Sequence, residues 1–206
     1  MRAPACPFDY RVAMNLRVVL FTRYPEPGRA KTRLIPALGA ERAAQLHRAL
    51  TERTVQAVRS SGLALELRTT GAPTAAFEEW LGPASIIDQG QGDLGERLAR
   101  AGPPYPTIFI GSDAPDLTPV LLQDAVRALK EASAVIGPAE DGGYWLLGLA
   151  RAVDGVFEGV NWGTSIVFGQ TMDRLAAAGI DPLLLTQLAD CDRPEDLIRW
   201  PGLLPE

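Results

Sequence analysis

Histidine and cysteine are the scarcest reactive residues in this chain. His47 is its only histidine, which excludes a multi-histidine metal centre and leaves no Ser-His-Asp arrangement to assemble. Its position in a helix-patterned stretch assigns it to packing or surface. The two cysteines, Cys6 and Cys191, make neither a disulfide framework nor a zinc spacing. Long apolar runs are missing as well: the longest are short, such as Tyr144–Leu147, far below the roughly 20 residues of a membrane-spanning helix. Positive charge is in deficit, with 20 Lys and Arg against 25 Asp and Glu and a net charge of −5, which argues against a general nucleic-acid coat. Repeats, low-complexity tracts and Gly/Ser linkers are absent. Met1–Ala13 has charges and prolines but no apolar core of a signal peptide, so the expected compartment is the cytoplasm. Met14 is an alternative start, with residues 1–14 expected as a disordered extension and 15–206 as a single domain.

What remains is ordinary globular material. An apolar share of 47% and a charged share of 22% suit a soluble, ordered chain. At this length, about 70% of the extended surface is buried on folding, so no disulfide or structural metal is needed.

Strand and helix signals alternate. Strands are predicted at Arg17–Thr22, Ala64–Thr70, Ser85–Asp88, Thr107–Ile110, Ala134–Gly137, Tyr144–Ala150 and Pro182–Leu188. Helical patterns cover Ala40–Arg59, Phe77–Leu81, Asp93–Ala101, Pro119–Ala132, Ser165–Ala178 and Pro194–Trp200. This alternation predicts an α/β fold of three layers, a mostly parallel sheet with helices on both faces. Right-handed crossovers then collect the loops that follow the strands along one edge, where such sheets bind ligands.

Those loops hold the candidate chemistry. The segment Arg23–Leu34 carries Arg23, Arg29, Lys31 and Arg33 against the single acid Glu26. A cationic loop at a strand exit is a phosphate receptor by charge and place; a solvated basic loop is its bland alternative. It lacks the Gly before Lys31 that a Walker loop requires, and its one glycine, Gly28, excludes a dinucleotide fingerprint. In Gln89–Arg97, the bare amides at Gly90, Gly92 and Gly95 suit an anion or a base edge, and Arg97 lies one turn into the helix. Asp93 and Glu96 also have the spacing of a capping box.

Asp113 follows an apolar strand at Gly111-Ser112-Asp113. A carboxylate there is placed to hold Mg²⁺ or Mn²⁺ against a diphosphate, with an Asx-turn as the structural alternative. Asp116 reads better as a cap for the next helix. Asp141-Gly142-Gly143-Tyr144 reads either as a hairpin turn or as a rigid loop meeting hydroxyls of a sugar or small acceptor. Trp162 packs or walls a pocket, and Thr164 or Ser165 is the expected cap of the helix that follows. Acids in Asp190–Asp196 suit a helix start, with Asp192 the best candidate for a second metal carboxylate.

Five ordered motifs run across nearly the whole chain. They are Pro25-x-Pro27-Gly28-x-x-Lys31-Thr32-Arg33-Leu34, Gly92-Asp93-Leu94-Gly95-x-Arg97, Gly111-Ser112-Asp113-x-Pro115, Asp141-Gly142-Gly143-Tyr144 and Trp162-x-Thr164. Together they resemble the bacterial family of small transferases named for radical-SAM/selenodomain neighbourhoods. The resemblance implies a type-A glycosyltransferase (nucleotide-diphospho-sugar transferase) fold and kinship with 2-phospho-lactate and molybdenum-cofactor guanylyltransferases. It further implies that Asp113 binds the divalent metal and that Asp192 completes the site. Arg193 stands where the pattern has Thr, and Arg23 where it usually has Lys.

The resulting expectation is a metal-dependent transferase with a nucleotide-activated donor, most plausibly a nucleotide sugar, and a small-molecule acceptor. The alternatives are a nucleotidyltransferase releasing pyrophosphate and a non-catalytic nucleotide-binding protein. Asp113 and Asp141 are the catalytic candidates. Arg23, Gly28, Lys31, Arg33, Gly92, Asp93 and Arg97 are the nucleotide and phosphate candidates. Gly142, Gly143, Tyr144, Trp162 and Thr164 are assigned to the acceptor, and Asp113 with Asp192 to Mg²⁺ or Mn²⁺. Nucleic acid and membrane insertion are not expected.

Overall fold

A computed structural model describes residues 16–203; the expected N-terminal extension lies outside them, apart from the junction. Seven strands form one sheet: β1 Arg17–Arg23, β2 Ala64–Thr70, β3 Ser85–Asp88, β4 Thr107–Ile110, β5 Ala134–Pro138, β6 Tyr144–Leu149 and β7 Leu183–Leu184. Their spatial order is β3-β2-β1-β4-β6-β5-β7. β6 alone runs antiparallel to its neighbours β4 and β5; the other pairings are parallel. The helices are α1 Ile35–Leu38, α2 Ala40–Ser61, α3 Thr74–Leu81, α4 Leu94–Ala101, α5 Pro119–Leu129 and α6 Val167–Ala177, with 3₁₀ turns at Thr32–Leu34 and Pro194–Arg199.

The layers follow from side-chain alternation along the central strands. Val18 and Leu20 of β1, with Ile108 and Ile110 of β4, pack against α2, α3 and α5 through Val58, Phe77 and Leu122. Val19 and Phe109, one residue out of phase, face Leu98 of α4 and Leu175 of α6. Burying each such Leu, Ile or Phe contributes about 1.5–3 kcal/mol, which is why a strand with no polar interior residue sits at the centre.

A third cluster joins Leu34, Leu46, Leu50 and Cys191, with Leu197 and Trp200 packed on it. It fastens the C-terminal segment to the first loop and the start of α2, and so brings residue 192 beside residue 31.

The expected three-layer architecture is the one observed, and several elements differ in detail. The strand expected over Pro182–Leu188 shrinks to Leu183–Leu184, plus one parallel bridge between Ala139 and Leu188. Both strand residues are exposed, so β7 has no buried face to extend its ladder. The helix expected from Ser165 begins at Val167 without a side-chain cap; Thr164 Oγ1 donates instead to the carbonyl of Asn161 at 2.7 Å. The closing helix is a 3₁₀ turn. The Asp93–Glu96 capping box forms as expected, with Glu96 N donating to Asp93 Oδ1 at 2.8 Å and Asp93 N to Glu96 Oε2 at 2.9 Å.

Candidate functional site

The loops that follow β1, β4 and β5 meet along one edge of the sheet. Lys31 is central to that meeting. Its backbone is left-handed, φ 47° and ψ 47°, and it is the only non-glycine residue with positive φ among those described. A lysine held there costs free energy that the surroundings must offset. They do so through the ammonium: Lys31 Nζ donates to the Cys191 carbonyl at 2.7 Å and pairs with Asp113 Oδ1 at 2.6 Å and Asp192 Oδ1 at 3.5 Å. Arg33 Nη1 reaches Asp192 Oδ2 at 2.6 Å.

The last loop is pinned from several directions. Cys191 N donates to the Asp113 carbonyl at 2.8 Å. Asp196 Oδ2 accepts from the backbone of Asp192 at 3.0 Å and of Arg193 at 2.7 Å. Asp113 and Asp192, far apart in the chain, thus share one cationic atom.

Two cavities open on either side of this pair. The first, about 380 Å³, is lined by Arg23, Arg29, Lys31, Thr32, Arg33 and His47, with Asp113 and Asp192 at its margin. The second, about 240 Å³, shares Asp113 and Asp192 and adds Asp141, Asp190, Gly143, Tyr144, Trp145, Trp162, Thr164, Phe21, Phe109 and their apolar neighbours. No Lys or Arg lines the second cavity.

The electrostatics follow this arrangement. Burial alone would raise the Asp113 carboxyl, but the charge and hydrogen bond of Lys31 outweigh it and hold Asp113 below the usual carboxylate range. Burial likewise opposes the Lys31 ammonium, and Asp113 and Asp192 overcome it, so Lys31 stays charged above its ordinary value. The Asp113 side chain is nevertheless 53% exposed toward the cleft, against 3% for Lys31, so one carboxylate face remains open to a ligand. Asp190 is raised, by burial first and by the charge of Asp141 second. Burial pushes the Cys191 thiol up to about 11, which makes it a packing residue rather than a nucleophile.

The predicted residues divide clearly. Arg23, Lys31 and Arg33 converge on the first cavity. Asp141, Gly143, Tyr144, Trp162 and Thr164 line the second, on the same edge as Asp113. Gly142 stands behind the wall: a Cβ there would lie 2.1 Å from the Ser165 carbonyl oxygen, at φ 88°, so the turn requires glycine. Gly28 is at the exposed loop tip with open space around it.

Gly92, Asp93 and Arg97 line neither cavity. Asp93 is engaged in the capping box, Gly92 leaves room for the Glu96 carboxylate, and Arg97 Nη1 donates to Gln89 Oε1 at 3.2 Å. Asp116 accepts from Trp200 Nε1 at 3.1 Å, a structural tie.

Two site residues escaped the sequence reading. His47 is buried, as a packing role requires, yet it lines the first cavity; its Nε2 lies 3.0 Å from the Arg23 carbonyl and supports the loop. Burial lowers its pKa, against the partial support of that carbonyl. Asp190 lines the second cavity; its signal was the Asp-Cys-Asp run in which only Asp192 was singled out.

Asp113 and Asp192 are hard oxygen donors, which suit Mg²⁺ or Mn²⁺ better than zinc. Among the described residues no three His, Cys, Asp or Glu side chains stand close enough to hold an ion. Two carboxylates therefore fit such a cation only if ligand oxygens and waters complete the shell, and only if the Lys31 ammonium gives way.

Comparison with known proteins adds the following. Residues 50–164 match the family described as "Uncharacterized protein conserved in bacteria (DUF2064)". No curated protein sequence matches the chain. Among solved structures, the chain is similar to a proposed nucleotide-diphospho-sugar transferase from Desulfovibrio desulfuricans G20, with 31% identity over 91% of this chain and 87% of that one and a TM-score of 0.83. It is also similar to glucosyl-3-phosphoglycerate synthase from Mycobacterium tuberculosis, in a complex with Mn²⁺, uridine diphosphate and glucosyl-3-phosphoglycerate. There the identity is 12% over 96% of this chain and 81% of that one, with a TM-score of 0.57. A third is 4-diphosphocytidyl-2C-methyl-D-erythritol synthase from Anaerococcus prevotii DSM 20548, at 10% identity over 93% of this chain and 97% of that one, TM-score 0.59. The last two show the fold alone. The chain has the nucleotide-diphospho-sugar transferase fold, and no helix among its described residues is long and apolar enough to cross a membrane.

Proposed function

The chain belongs to the DUF2064 family, and from that premise and the site's geometry we propose that it is a metal-dependent transferase moving a sugar from a nucleotide-diphospho-sugar to a small acceptor. One observation carries the reading: a cationic cavity and an aromatic, acidic cavity meet at Asp113 and Asp192. The first suits a diphosphate, and the second suits a neutral sugar and acceptor. The residues Arg23, Lys31 and Arg33 bind the donor phosphates, while Gly92, Asp93 and Arg97, set back from both cavities, support the nucleotide end at most through their loop. A Mg²⁺ or Mn²⁺ ion held by Asp113 and Asp192 would supply charge neutralisation to the departing diphosphate.

The chain's own residues do the rest. Arg23, Arg29 and Arg33 hold the diphosphate in place and offset its charge. Trp162 and Tyr144 exclude water on the acceptor side. Asp141 takes the proton of the acceptor hydroxyl as its oxygen bonds to the anomeric carbon; the bond from that carbon to the phosphate oxygen breaks and the nucleoside diphosphate leaves. The resemblance of two structural neighbours to this fold, one crystallised with Mn²⁺ and a nucleoside diphosphate, supports the choice of donor and ion. The resemblance of the five sequence motifs to radical-SAM/selenodomain-associated transferases supports the same class of reaction.

Nucleotidyl transfer is the second reading, since the same cations and carboxylates serve a triphosphate and a neighbour of this fold is by name a 4-diphosphocytidyl-2C-methyl-D-erythritol synthase. The second cavity speaks against it for acceptors that attack through a phosphate, because it offers them no cation. A panel of nucleotide sugars and nucleoside triphosphates, each with Mg²⁺ or Mn²⁺, separates the readings. Release of a nucleoside diphosphate from a nucleotide sugar supports glycosyl transfer. Pyrophosphate from a triphosphate establishes nucleotidyl transfer, and nucleotide binding with neither product leaves a non-catalytic nucleotide-binding protein.

A further inference from the structure

The parallel bridge between Ala139 and Leu188 fixes a register between the end of β5 and the segment beyond β7. It is reinforced on both sides: Leu188 N donates to the Pro138 carbonyl at 3.1 Å, and Glu140 N to the Leu188 carbonyl at 3.0 Å. Two residues past the bridge, one chain carries Asp141 and the other Asp190. Beyond the bridge the first segment turns, with Gly142 N donating to the Ala139 carbonyl at 3.3 Å. Both carboxylates line the second cavity, and like charges gathered there are destabilising unless something offsets them.

Among the described residues no cation does. Asp113 and Asp192 are matched by Lys31 and Arg33. Asp141 and Asp190 have no ion-pair partner among the described residues, and no Lys or Arg lines their cavity. Asp141 Oδ1 accepts from Gly143 N at 2.8 Å, which fixes its orientation without neutralising it.

The walls supply the second constraint. Phe21, Phe109, Tyr144 and Trp162 line the same cavity. Aromatic faces beside uncompensated acids attract an organic cation with an apolar body, through the ring quadrupoles and the carboxylates together. They repel carboxylates and phosphates.

We propose that the acceptor is a small amine, protonated when bound, whose cationic group sits on Asp190 against the aromatic wall while its hydroxyl faces Asp141. Asp190 is thus a recognition residue for the acceptor, distinct from the acid that takes the proton. This rests on the reading of the second cavity as the acceptor side. Donor binding in the first cavity is measured separately, so the two can fail independently.

Three ligands of one shape test it: tyramine, tyrosol and 4-hydroxyphenylacetate share a ring and differ in end-group charge. Calorimetry on the full chain is expected to show tyramine binding at least about tenfold tighter than tyrosol, with no measurable binding of the carboxylate. In Asp190→Asn that preference is expected to fall to within about twofold. A thermal-shift response to nucleotides that matches the unaltered protein shows that the variant is folded and its donor side intact; Asp190→Ser provides a second variant if it is not. Binding of the carboxylate as tight as the amine, absence of any amine preference, no binding of all three, or an amine preference that survives both folded variants overturns the proposal.

Discussion

The two cavities are built from opposite materials. The first is polar, open and cationic, set on a loop whose shape rests on a strained lysine and a few ionic contacts. The second is walled by aromatic rings and carboxylates, beside a turn that tolerates no added carbon at Gly142. The difference teaches how a transferase site divides its work. Charge captures a leaving group that is always an anion, whereas shape and apolar contact select a partner that varies. The two halves meet only at Asp113 and Asp192, so substitutions there are expected to affect both and substitutions elsewhere to affect one.

The sharpest way to break the comparison is at the junction. Asp113→Asn is expected to lower kcat by roughly a hundredfold or more, the scale of a lost group stabilising transition-state charge, with the fold retained by circular dichroism. Steady-state rates on the donor found in the nucleotide panel check it. Next come Lys31→Met and Arg33→Ala, each expected to weaken nucleotide binding by about 1.5–3 kcal/mol, while Trp162→Ala leaves nucleotide affinity unchanged and raises the acceptor KM. Calorimetry on all three tells whether the halves are separable; equal losses would mean that they are one site.

Gly142→Ala is expected to destabilise the fold by about 1–3 kcal/mol, because its methyl meets the Ser165 carbonyl. Gly28→Ala, with open space around it, is expected to cost only about 1 kcal/mol for its left-handed backbone. Denaturant midpoints compare the rigid turn with the loose one.

The smallest effect is in pH. Asp113 is depressed, so its contribution to stability is present at neutral pH and is lost as pH falls through its folded value. Lys31 is raised, so its contribution is complete below its unfolded value and is lost as pH rises beyond that. Lys31→Met is expected to flatten the stability profile at both ends, by less than the exchanges above because Asp113 is half exposed.

Much of this was legible in the residues. Alternating strand and helix signals gave the layered sheet because the central strands, such as Val18–Leu20 and Ile108–Ile110, are buried on both faces and read as unbroken apolar runs. The cationic loop and Asp113 were legible because strand exits and local charge are sequence-local facts. The reversal of β6 was signalled only by the hairpin reading of Asp141-Gly142-Gly143-Tyr144, since a buried strand itself reads the same in either direction. The meeting of Asp141 and Asp190 in one cavity was out of reach because it depends on a single bridge between distant segments, and contact there is set by the fold rather than by a pattern. His47 was assigned to packing or surface, and its burial agrees with packing; that it also lines the first cavity is a consequence of the fold that no local pattern carries.

The antiparallel strand has a dimensional consequence. β4 and β5, whose exits carry Asp113 and Asp141, both flank β6. Adjacent strands lie about 4.8 Å apart, so their exits stand about 10 Å apart across one intervening strand. That width is a property of the backbone ladder and does not vary with side chains. Loop changes can line the gap differently, deepen it or cover it, but only the addition or loss of a strand could change its span. Relatives that keep this strand order therefore inherit the same spacing between these two exits, and can vary only what lines it.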